Sequence, residues 1–451
     1  MFKNFVKTLI LTIIISTFNA ASAQSIPNAI AKSGINKSVI SVSVKEISGG
    51  KKIYSHNASR QLAPASTLKL VTYSAAKDVL GDNFEYKTSL YKSTNNDLYI
   101  KLSGDPLLKS SDLKTLFATA YKKNILEPKN LYIDDSIFDS VEWGEGWQWD
   151  DALNPLMPKF SAYNLDGNLI NVILSPTNQG APIEIMPEVF YPLAFMNLVT
   201  SSDNDKFVMT KGNYISPEMI NIEGFISKRK VVQIPVSSPS RYFKLRVEDA
   251  LREKHIDYHK PITSKNLPQK DIYLVDEVSH GIGDFSTKIL KESNNLYAET
   301  LFKMAGSVSE NSKGSLNNSI QMLNKYLKKL DINFDEIKIV DGSGVSKNNL
   351  VSPNFMTDFL VVRASQSDFE EFKNSLPKPG EGTLAQRMLY FNDNLRAKTG
   401  TLSDISAIAG YITTQKGKTY AFDIMINDSK STAAEKKIAE EYILRAIYTS
   451  Y

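Results

Sequence analysis

The sequence predicts an α/β (α+β) protein in which a large strand-rich insertion interrupts a domain of mixed helices and strands. Three observations lead to this prediction. A hairpin pattern is followed by a helix-compatible run near the N-terminus. Residues 85–275 contain short strand-like runs between turn clusters. Two predicted strands and a predicted helix lie near the C-terminus. We expect a discontinuous catalytic domain at 24–80 and 280–451, with an insertion at 81–279 in which residues from about 103 to 165 are a candidate nested subdomain.

The first elements follow from local patterns. Residues 39–44 alternate with a period of two, Gly49-Gly50 supplies a turn and residues 52–54 continue, which predicts a β-hairpin. Residues 64–80 are rich in helix-compatible side chains. Pro64 suits a helix start, where its missing N–H costs nothing.

The last elements are predicted in the same way. Residues 406–412 and 419–426 are expected to form adjacent strands joined by a turn at 416–418. Residues 433–448 predict an amphipathic helix, with Ile438, Tyr442 and Ala446 on one stripe and Ile443 and Ile447 beside it. Because its charges are mixed rather than basic, packing on the sheet is favoured over lying on a membrane.

The N-terminus differs in composition from the rest. Lys3 and Lys7 precede an apolar run at residues 9–15, and Ala21-Ser22-Ala23 provides small residues for cleavage before Gln24. This pattern predicts a signal peptide at residues 1–23, because the apolar run is too short to span a bilayer. A buried N-terminal helix is the weaker alternative. The predicted location is the periplasm, with loose membrane association left open.

Composition excludes several classes of function. The 451-residue chain has a net charge of +4, which gives no electrostatic footprint for nucleic acid. It contains no cysteine, so disulfides, thiolate zinc sites and thiol nucleophiles are excluded. His255 and His259 have the spacing of one helix face but no further ligand pattern, and no Gly-x-Ser-x-Gly elbow marks a serine triad. We therefore predict neither a metal nor an organic cofactor.

A serine–lysine pair is the stronger candidate for chemistry. Ser66 and Lys69 are spaced to lie adjacent on one helical face, and a lysine that burial holds partly neutral can take the proton of a serine. The spacing alone is weak, since Ser74 and Lys77, and Ser111 and Lys114, share it. Ser66 differs by position, because at a helix start its own N–H can donate to an oxyanion.

Two later segments supply partners for this pair. Ser293-Asn294-Asn295 offers a hydroxyl and a carboxamide, although Ser93-Thr94-Asn95 fits the same pattern. Lys398-Thr399-Gly400 precedes the predicted strand pair and offers a cation, a hydroxyl and a glycine that lets a ligand approach a strand edge. In this order the three segments predict an acyl-serine site.

These motifs give the chain a family resemblance. It resembles the class C low-molecular-mass penicillin-binding proteins, which are D-Ala-D-Ala carboxypeptidases and endopeptidases. The likeness covers nearly all of the chain after residue 23 and extends to four further segments, at residues 103–107, 134–151, 341–353 and 376–384. The resemblance implies a β-lactamase/transpeptidase-like catalytic domain, an antiparallel sheet flanked by helices.

The resemblance also implies roles for the motif residues. Ser66 would attack the carbonyl between two terminal D-alanines, Lys69 would accept its proton, and Ser293 would relay the proton to the leaving amine with help from Lys398. Asn295 would hold the substrate amide. The terminal carboxylate and the oxyanion would be bound by the segment Lys398, Thr399, Gly400 and Thr401, with the N–H of Ser66 completing the oxyanion hole.

Family members that cleave diaminopimelate-containing stems use an Asp and an Arg to bind the side chain. Asp151 matches the first residue, whereas the second is Lys347 here. Lysine can pair with a carboxylate but lacks the bidentate fork of arginine, so this side of the pocket departs from the family pattern.

Two alternatives stay open. A serine β-lactamase would need a deacylating carboxylate near the motifs, and none is evident. A catalytically silent peptidoglycan-binding scaffold would not need both a nucleophile and its base. The expected partners are peptidoglycan peptides and β-lactams, which would bind covalently; enzymes of cell-wall synthesis are further candidates, and the sequence leaves the oligomeric state open.

Overall fold

The computed structural model describes residues 25–212 and 218–451. The chain divides into two compact units. The first joins the described N-terminal residues up to Leu62 with Ser352–Tyr451, and the second is Ala63–Val351. The predicted insertion at 81–279 falls within the second unit, and the predicted domain boundaries stay a prediction.

The first unit is built on an antiparallel sheet of five strands. Its strands are β1 (Ile40–Glu46), β2 (Lys52–His56), β14 (Leu395–Leu402), β15 (Ile405–Thr413) and β16 (Thr419–Asn427). They are arranged in the order β14-β15-β16-β1-β2. The helices of this unit are α1 (Ile26–Lys32), α7 (Pro353–Ala364), α8 (Phe369–Ser375) and α9 (Ala433–Ser450).

Strand alternation explains why both faces of this sheet are covered. Val42, Ile424 and Ile408 point to the side where α1 and α9 pack, and they share one buried cluster with Ile30 and Ile443. The neighbouring positions point to α7, where the Ser43 and Thr357 hydroxyls lie 2.8 Å apart. The result is a sheet between two helical layers, with β14 at its edge.

The second unit contains a helical layer and three sheets. Its helices are α2 (Lys69–Leu80), α3 (Ser110–Lys122), α4 (Pro239–Glu253), α5 (Asn295–Glu310) and α6 (Leu316–Lys329). Helix α5 packs against both α2 and α6, while α3 packs against α4. Nearly the whole of α5 is enclosed, from Leu296 to Ser307.

The strands of the second unit form one mixed five-stranded sheet and two three-stranded sheets. The mixed sheet comprises β3 (Glu85–Ser93), β4 (Leu98–Lys101), β5 (Leu131–Asp134), β12 (Thr263–Ser264) and β13 (Ile272–Gly281), in the order β12-β5-β4-β3-β13. The smaller sheets comprise β8 (Ala194–Ser201), β10 (Met219–Ile226) and β9 (Lys206–Lys211), and β11 (Lys230–Pro235), β6 (Leu169–Ser175) and β7 (Glu184–Pro187).

The α/β (α+β) class with a strand-rich middle is confirmed, as are the N-terminal hairpin and the two C-terminal strands. Two details were predicted wrongly. Ile438 is half exposed, because the face of α9 that packs on the sheet runs through Ala439, Ile443 and Ile447. Residues 65–68 form a 3₁₀ turn rather than the first turn of an α-helix, which begins only at Lys69.

Two predictions concern the membrane and export. The signal peptide predicted at residues 1–23 lies outside the described residues. Within residues 25–212 and 218–451, no helix combines the length and apolar character needed to cross a membrane.

Candidate active site

Ser66 lies on the 3₁₀ turn Ala65–Leu68, immediately before α2, and is half-buried. Ala65 has a φ of 47°, a left-handed value that an alanine rarely adopts. The turn is braced from inside by the Thr67 hydroxyl, which donates to the Pro64 carbonyl at 2.7 Å. Strained backbone of this kind is concentrated at functional sites, where the surrounding structure holds it in place.

The amine of Lys69 is the centre of the site. The side chain is completely buried, and its Nζ lies 2.9 Å from Ser66 Oγ, 2.6 Å from Asn295 Oδ1 and 2.6 Å from the Ser343 carbonyl oxygen. Two of these three oxygens, the amide and the carbonyl, can only accept hydrogen bonds, whereas the serine hydroxyl can also donate. A neutral amine has two N–H groups for the two obligate acceptors and one lone pair, which is left to face Ser66.

Burial allows the neutral form of the Lys69 amine to be populated. Desolvation lowers the pKa of Lys69 to about 7, against the opposing charges of Asp341 and Glu299. An amine in this range is substantially neutral at physiological pH and becomes a good acid once protonated. It can therefore take a proton from Ser66 and return it later in the same cycle.

The loop that begins at Asp341 holds the third acceptor. The Asp341 carboxylate accepts hydrogen bonds from the Gly344 and Ser346 N–H groups, the Asn349 amide and the Trp147 indole, at 2.6–2.9 Å. A Cβ on Gly344 would overlap the Ala65 carbonyl oxygen, and the φ of Gly344 is +80°. The loop can thus approach the Ser66 turn only because this residue is glycine.

Ser293 and Asn295 enter the site from the start of α5. Asn294 caps the helix by accepting the Tyr297 N–H, and Ser293, just before it, has a left-handed φ of 62°. The Asn295 amide is oriented at both ends, since its Oδ1 faces Lys69 and its Nδ2 donates to the Leu156 carbonyl at 2.7 Å. The structure therefore brings Ser66, Lys69 and Asn295 together, with Ser293 two residues away along the chain.

Asp151 and Lys347 lie close enough to interact electrostatically. Asp151 belongs to the short 3₁₀ segment Trp149–Leu153. Burial and the neighbouring Asp150 raise the pKa of its carboxyl, and Lys347 opposes this effect. The two residues predicted to recognise the substrate side chain are thus paired in charge.

The remaining predicted residues lie in the first unit. Lys398, Thr399, Gly400 and Thr401 are consecutive on the edge strand β14, opposite Ala409 to Ser406 on β15. The Thr399 hydroxyl donates to that of Thr383 at 2.7 Å, and the Lys398 amine donates to the Thr399 carbonyl at 2.9 Å. Thr401 is exposed.

Sequence reasoning missed Glu299. This buried residue accepts the Gly342 N–H at 3.0 and 3.1 Å and the Ser343 N–H at 2.8 Å. A usable signal was present, because Glu299 follows Asn295 by four residues on one helix and is charged within an otherwise enclosed segment.

The histidine pair singled out from the sequence is not on a helix. The interpretation of His255 and His259 as sharing a helix face is wrong, because α4 ends at Glu253 and His255 has a φ of 55°. Among the residues that the structure describes, no three His, Cys, Asp or Glu side chains are grouped to hold a metal ion.

A buried lysine beside a serine hydroxyl is an arrangement that suits a serine hydrolase working through an acyl-enzyme. Comparison with known proteins gives the family. Residues 22–446 match the model of the D-Ala-D-Ala carboxypeptidase 3 (S13) family. The chain belongs to this family of serine peptidases, in agreement with the predicted resemblance.

Two relatives and one solved structure illustrate the match. The chain is 26% identical to the D-alanyl-D-alanine carboxypeptidase DacB of Haemophilus influenzae, over 87% of this chain and 86% of the relative. It is 26% identical to a D-alanyl-D-alanine carboxypeptidase of Actinomadura, over 88% and 79% of the two chains. The crystal structure of penicillin binding protein 4 from H. influenzae superimposes with a TM-score of 0.81 at 26% identity, covering 91% of this chain and 96% of that one. This similarity confirms the predicted fold.

Proposed function

We propose that the protein hydrolyses the bond between the two terminal D-alanines of peptidoglycan stem peptides through an ester on Ser66. The arrangement around Lys69 carries this proposal. Of the three oxygens within 2.9 Å of its amine, only the Ser66 hydroxyl can give up a proton. Penicillins would acylate the same oxygen; the H. influenzae relative has been crystallised in complex with a β-lactam.

The proposed reaction combines the geometry around Lys69 with the role that the family resemblance implies for Ser293. Ser66 Oγ attacks the carbonyl carbon of the penultimate D-alanine while its proton passes to Lys69 Nζ. The C–N bond then breaks, and the proton reaches the leaving amine of the terminal D-alanine through the Ser293 hydroxyl. Water attacks the resulting ester, which releases the shortened peptide and restores the Ser66 hydroxyl.

Substrate binding is assigned to the residues that bear the remaining polar groups. Asn295 Nδ2 exchanges the Leu156 carbonyl for a carbonyl of the substrate, while Lys69 keeps the amide oriented. By the family resemblance, the terminal carboxylate is assigned to Lys398, Thr399 and Thr401 on the edge strand β14; the first two are buried and Thr401 is exposed. The family resemblance assigns the oxyanion to the N–H groups of Ser66 and Thr401, and losing one such donor typically raises the barrier by about 2.7–4 kcal/mol.

A labelled penicillin tests the acyl-serine step. Wild-type protein should acquire one covalent label, and Ser66→Ala should acquire none. Ser111→Ala is the matched control, because Ser111 has the same spacing to a lysine but is exposed. An unlabelled wild type, or a Ser66→Ala variant that is labelled as fully as wild type, would overturn the proposal.

We further propose that the protein acts as an endopeptidase as well as a carboxypeptidase. Both cleave a D-alanyl amide and differ only in the amine that leaves, so the same acyl-enzyme serves both. Digestion of a purified cross-linked dimeric muropeptide distinguishes them. Release of two monomers supports the endopeptidase, and release of D-alanine alone contradicts it.

We also propose that the protein is exported to the periplasm, on the strength of the pattern in residues 1–23. The N-terminal sequence of protein recovered from the periplasmic fraction should begin at Gln24. A protein that retains residues 1–23 and fractionates with the cytoplasm would contradict this location.

A further inference from the structure

We propose that Glu299 is a positioning residue of the catalytic site, which aims the Ser343 carbonyl at Lys69 and sets the protonation of that amine. This inference rests on the acyl-serine function proposed above. It adds a residue that does not touch the reacting atoms but acts on the base through the backbone of residues 342–343.

The hydrogen bonds described for the Glu299 side chain go to the loop that carries the third acceptor. Its carboxylate accepts the Gly342 N–H with both oxygens and the Ser343 N–H with one, at 2.8–3.1 Å. The opposite side of the same two residues is held by α2, since the Thr72 hydroxyl donates to the Gly342 carbonyl at 2.7 Å and Lys69 donates to the Ser343 carbonyl at 2.6 Å. Residues 342–343 are therefore clamped between α5 and α2.

The loop is built for this close approach to α5. A Cβ on Gly342 would lie 2.7 Å from the Phe302 Cβ, so only glycine lets the backbone reach the carboxylate. Helix α5 thus acts on Lys69 twice from one face, directly through Asn295 and, four residues later, through Glu299 and the Ser343 carbonyl.

The charge of Glu299 matters as well as its reach. Its buried carboxyl lies beside Asp341, and both acids favour the protonated form of Lys69. Burial and the charge of Asp341 raise the pKa of Glu299 itself. Lys303, one turn further along α5, also faces Glu299, but its amine is paired with Asp139. Within the second unit, Lys69 is therefore balanced mainly between desolvation and these two carboxyls.

Two substitutions separate the effect of the length of the Glu299 side chain from the effect of its charge. Glu299→Gln keeps an oxygen that can accept the Ser343 N–H but removes the charge. Glu299→Asp keeps the charge but shortens the side chain by one methylene, so it cannot span to both N–H groups. Glu310→Gln is the matched control on the same helix, because Glu310 pairs with Lys325 away from this loop.

The measurement is the second-order rate constant for acylation by a labelled penicillin as a function of pH. For Glu299→Gln we expect a loss of about tenfold at the optimum, as for a lost charged hydrogen bond, and an acid limb that moves to lower pH because neutral Lys69 is favoured. For Glu299→Asp we expect a similar loss with the limb unmoved. Glu310→Gln should match wild type in both respects.

Some results would overturn the inference while leaving the acyl-serine function intact. If Glu299→Gln acylates like wild type, Glu299 positions nothing. If it loses activity by one factor at every pH, its role is only structural. If Glu299→Gln fails to fold, Glu299→Asp alone tests the inference. Acylation of Glu299→Asp at the wild-type rate would show that the full length of the glutamate side chain is not needed. A wild type that forms no adduct would instead refute the proposed function.

Discussion

The chain repeats one short motif in two very different settings. Ser66 and Lys69, and Ser111 and Lys114, have the same spacing at the start of a helix. Lys114 is half exposed, and its amine lies 2.6 Å from the Glu253 carboxylate. Lys69 is fully buried among three uncharged oxygens. An ion pair keeps a lysine charged, whereas burial among neutral acceptors allows it to lose its proton, so the surroundings rather than the spacing create the base.

Another copy of the spacing, Ser74 and Lys77, makes the same point within one helix. Ser74 donates to the Leu70 carbonyl at 2.8 Å, and Lys77 pairs with Asp82 at 3.1 Å. The comparison therefore predicts that only one of the three lysines contributes to acylation.

The largest expected effect comes from removing that lysine. Lys69→Met should lower the acylation rate constant by about 10²–10⁴-fold, the usual contribution of a general base. Lys77→Met and Lys114→Met should leave it unchanged. The measurement is the rate of covalent labelling by penicillin. Comparable losses in all three variants would break the comparison.

The next effect comes from crowding the Ser66 turn. Gly344→Ala places a Cβ against the Ala65 carbonyl and should lower acylation by about 10²-fold through misplacement of Ser66. Positive φ alone should cost about 1–3 kcal/mol of unfolding free energy. Gly167→Ala is the control, because Gly167 also has a positive φ but has open space around it. Denaturant unfolding should show a larger loss of unfolding free energy for Gly344→Ala than for Gly167→Ala. If the two variants lose the same stability and the same acylation rate, the contact with the Ala65 carbonyl has no special role.

The sequence predicts the ends of this site better than its centre. Ser66 and Ser293 follow from short motifs because each occupies a local turn. Lys398 is predicted separately, and it lies on an edge strand of the first unit. The Lys69 environment does not follow, because the Ser343 carbonyl that completes it lies 274 residues further along the chain. The 3₁₀ turn at Ala65 was likewise missed, since its left-handed φ is imposed by packing rather than by the preference of alanine.

The strands were predictable for a related reason. Successive side chains of a strand point to opposite faces of the sheet, even where helices cover both faces. The sequences of β1, β15 and β16 therefore show clear strand patterns. The wrong stripe on α9 shows the limit of such patterns. Ile438 and Ala439 are adjacent in sequence, and only the position of the sheet decides which of the two is buried.

A smaller effect is expected from pH. Because neutral Lys69 accepts the proton and burial lowers its pKa to about 7, acylation of wild-type protein should fall about tenfold per pH unit below that value. It should level off above pH 7 as the amine becomes neutral. A lysine with an ordinary pKa would instead give a rate that still rises beyond pH 9. A pH–rate profile of labelling distinguishes the two.

The smallest effect concerns recognition rather than chemistry. Asp151→Ala should weaken cleavage of diaminopimelate-containing peptides by roughly two- to fivefold, as expected for a partly exposed charge, while cleavage of a minimal D-Ala-D-Ala ester stays unchanged. Asp150→Ala is the neighbouring control. Values of kcat/KM for the two substrates provide the measurement. Equal losses on both substrates would remove Asp151 from the recognition of the side chain.

The indole bond from Trp147 to Asp341 gives this enzyme an optical property. All three tryptophans of the chain lie at positions 143, 147 and 149, and Trp147 donates to the carboxylate that organises residues 341–349. The tryptophan emission of the unlabelled protein, excited selectively over tyrosine, therefore arises from a segment seven residues long, bonded to the loop that contacts Lys69. Any ligand that displaces this loop should change the emission spectrum in real time, without a dye or a chromogenic substrate.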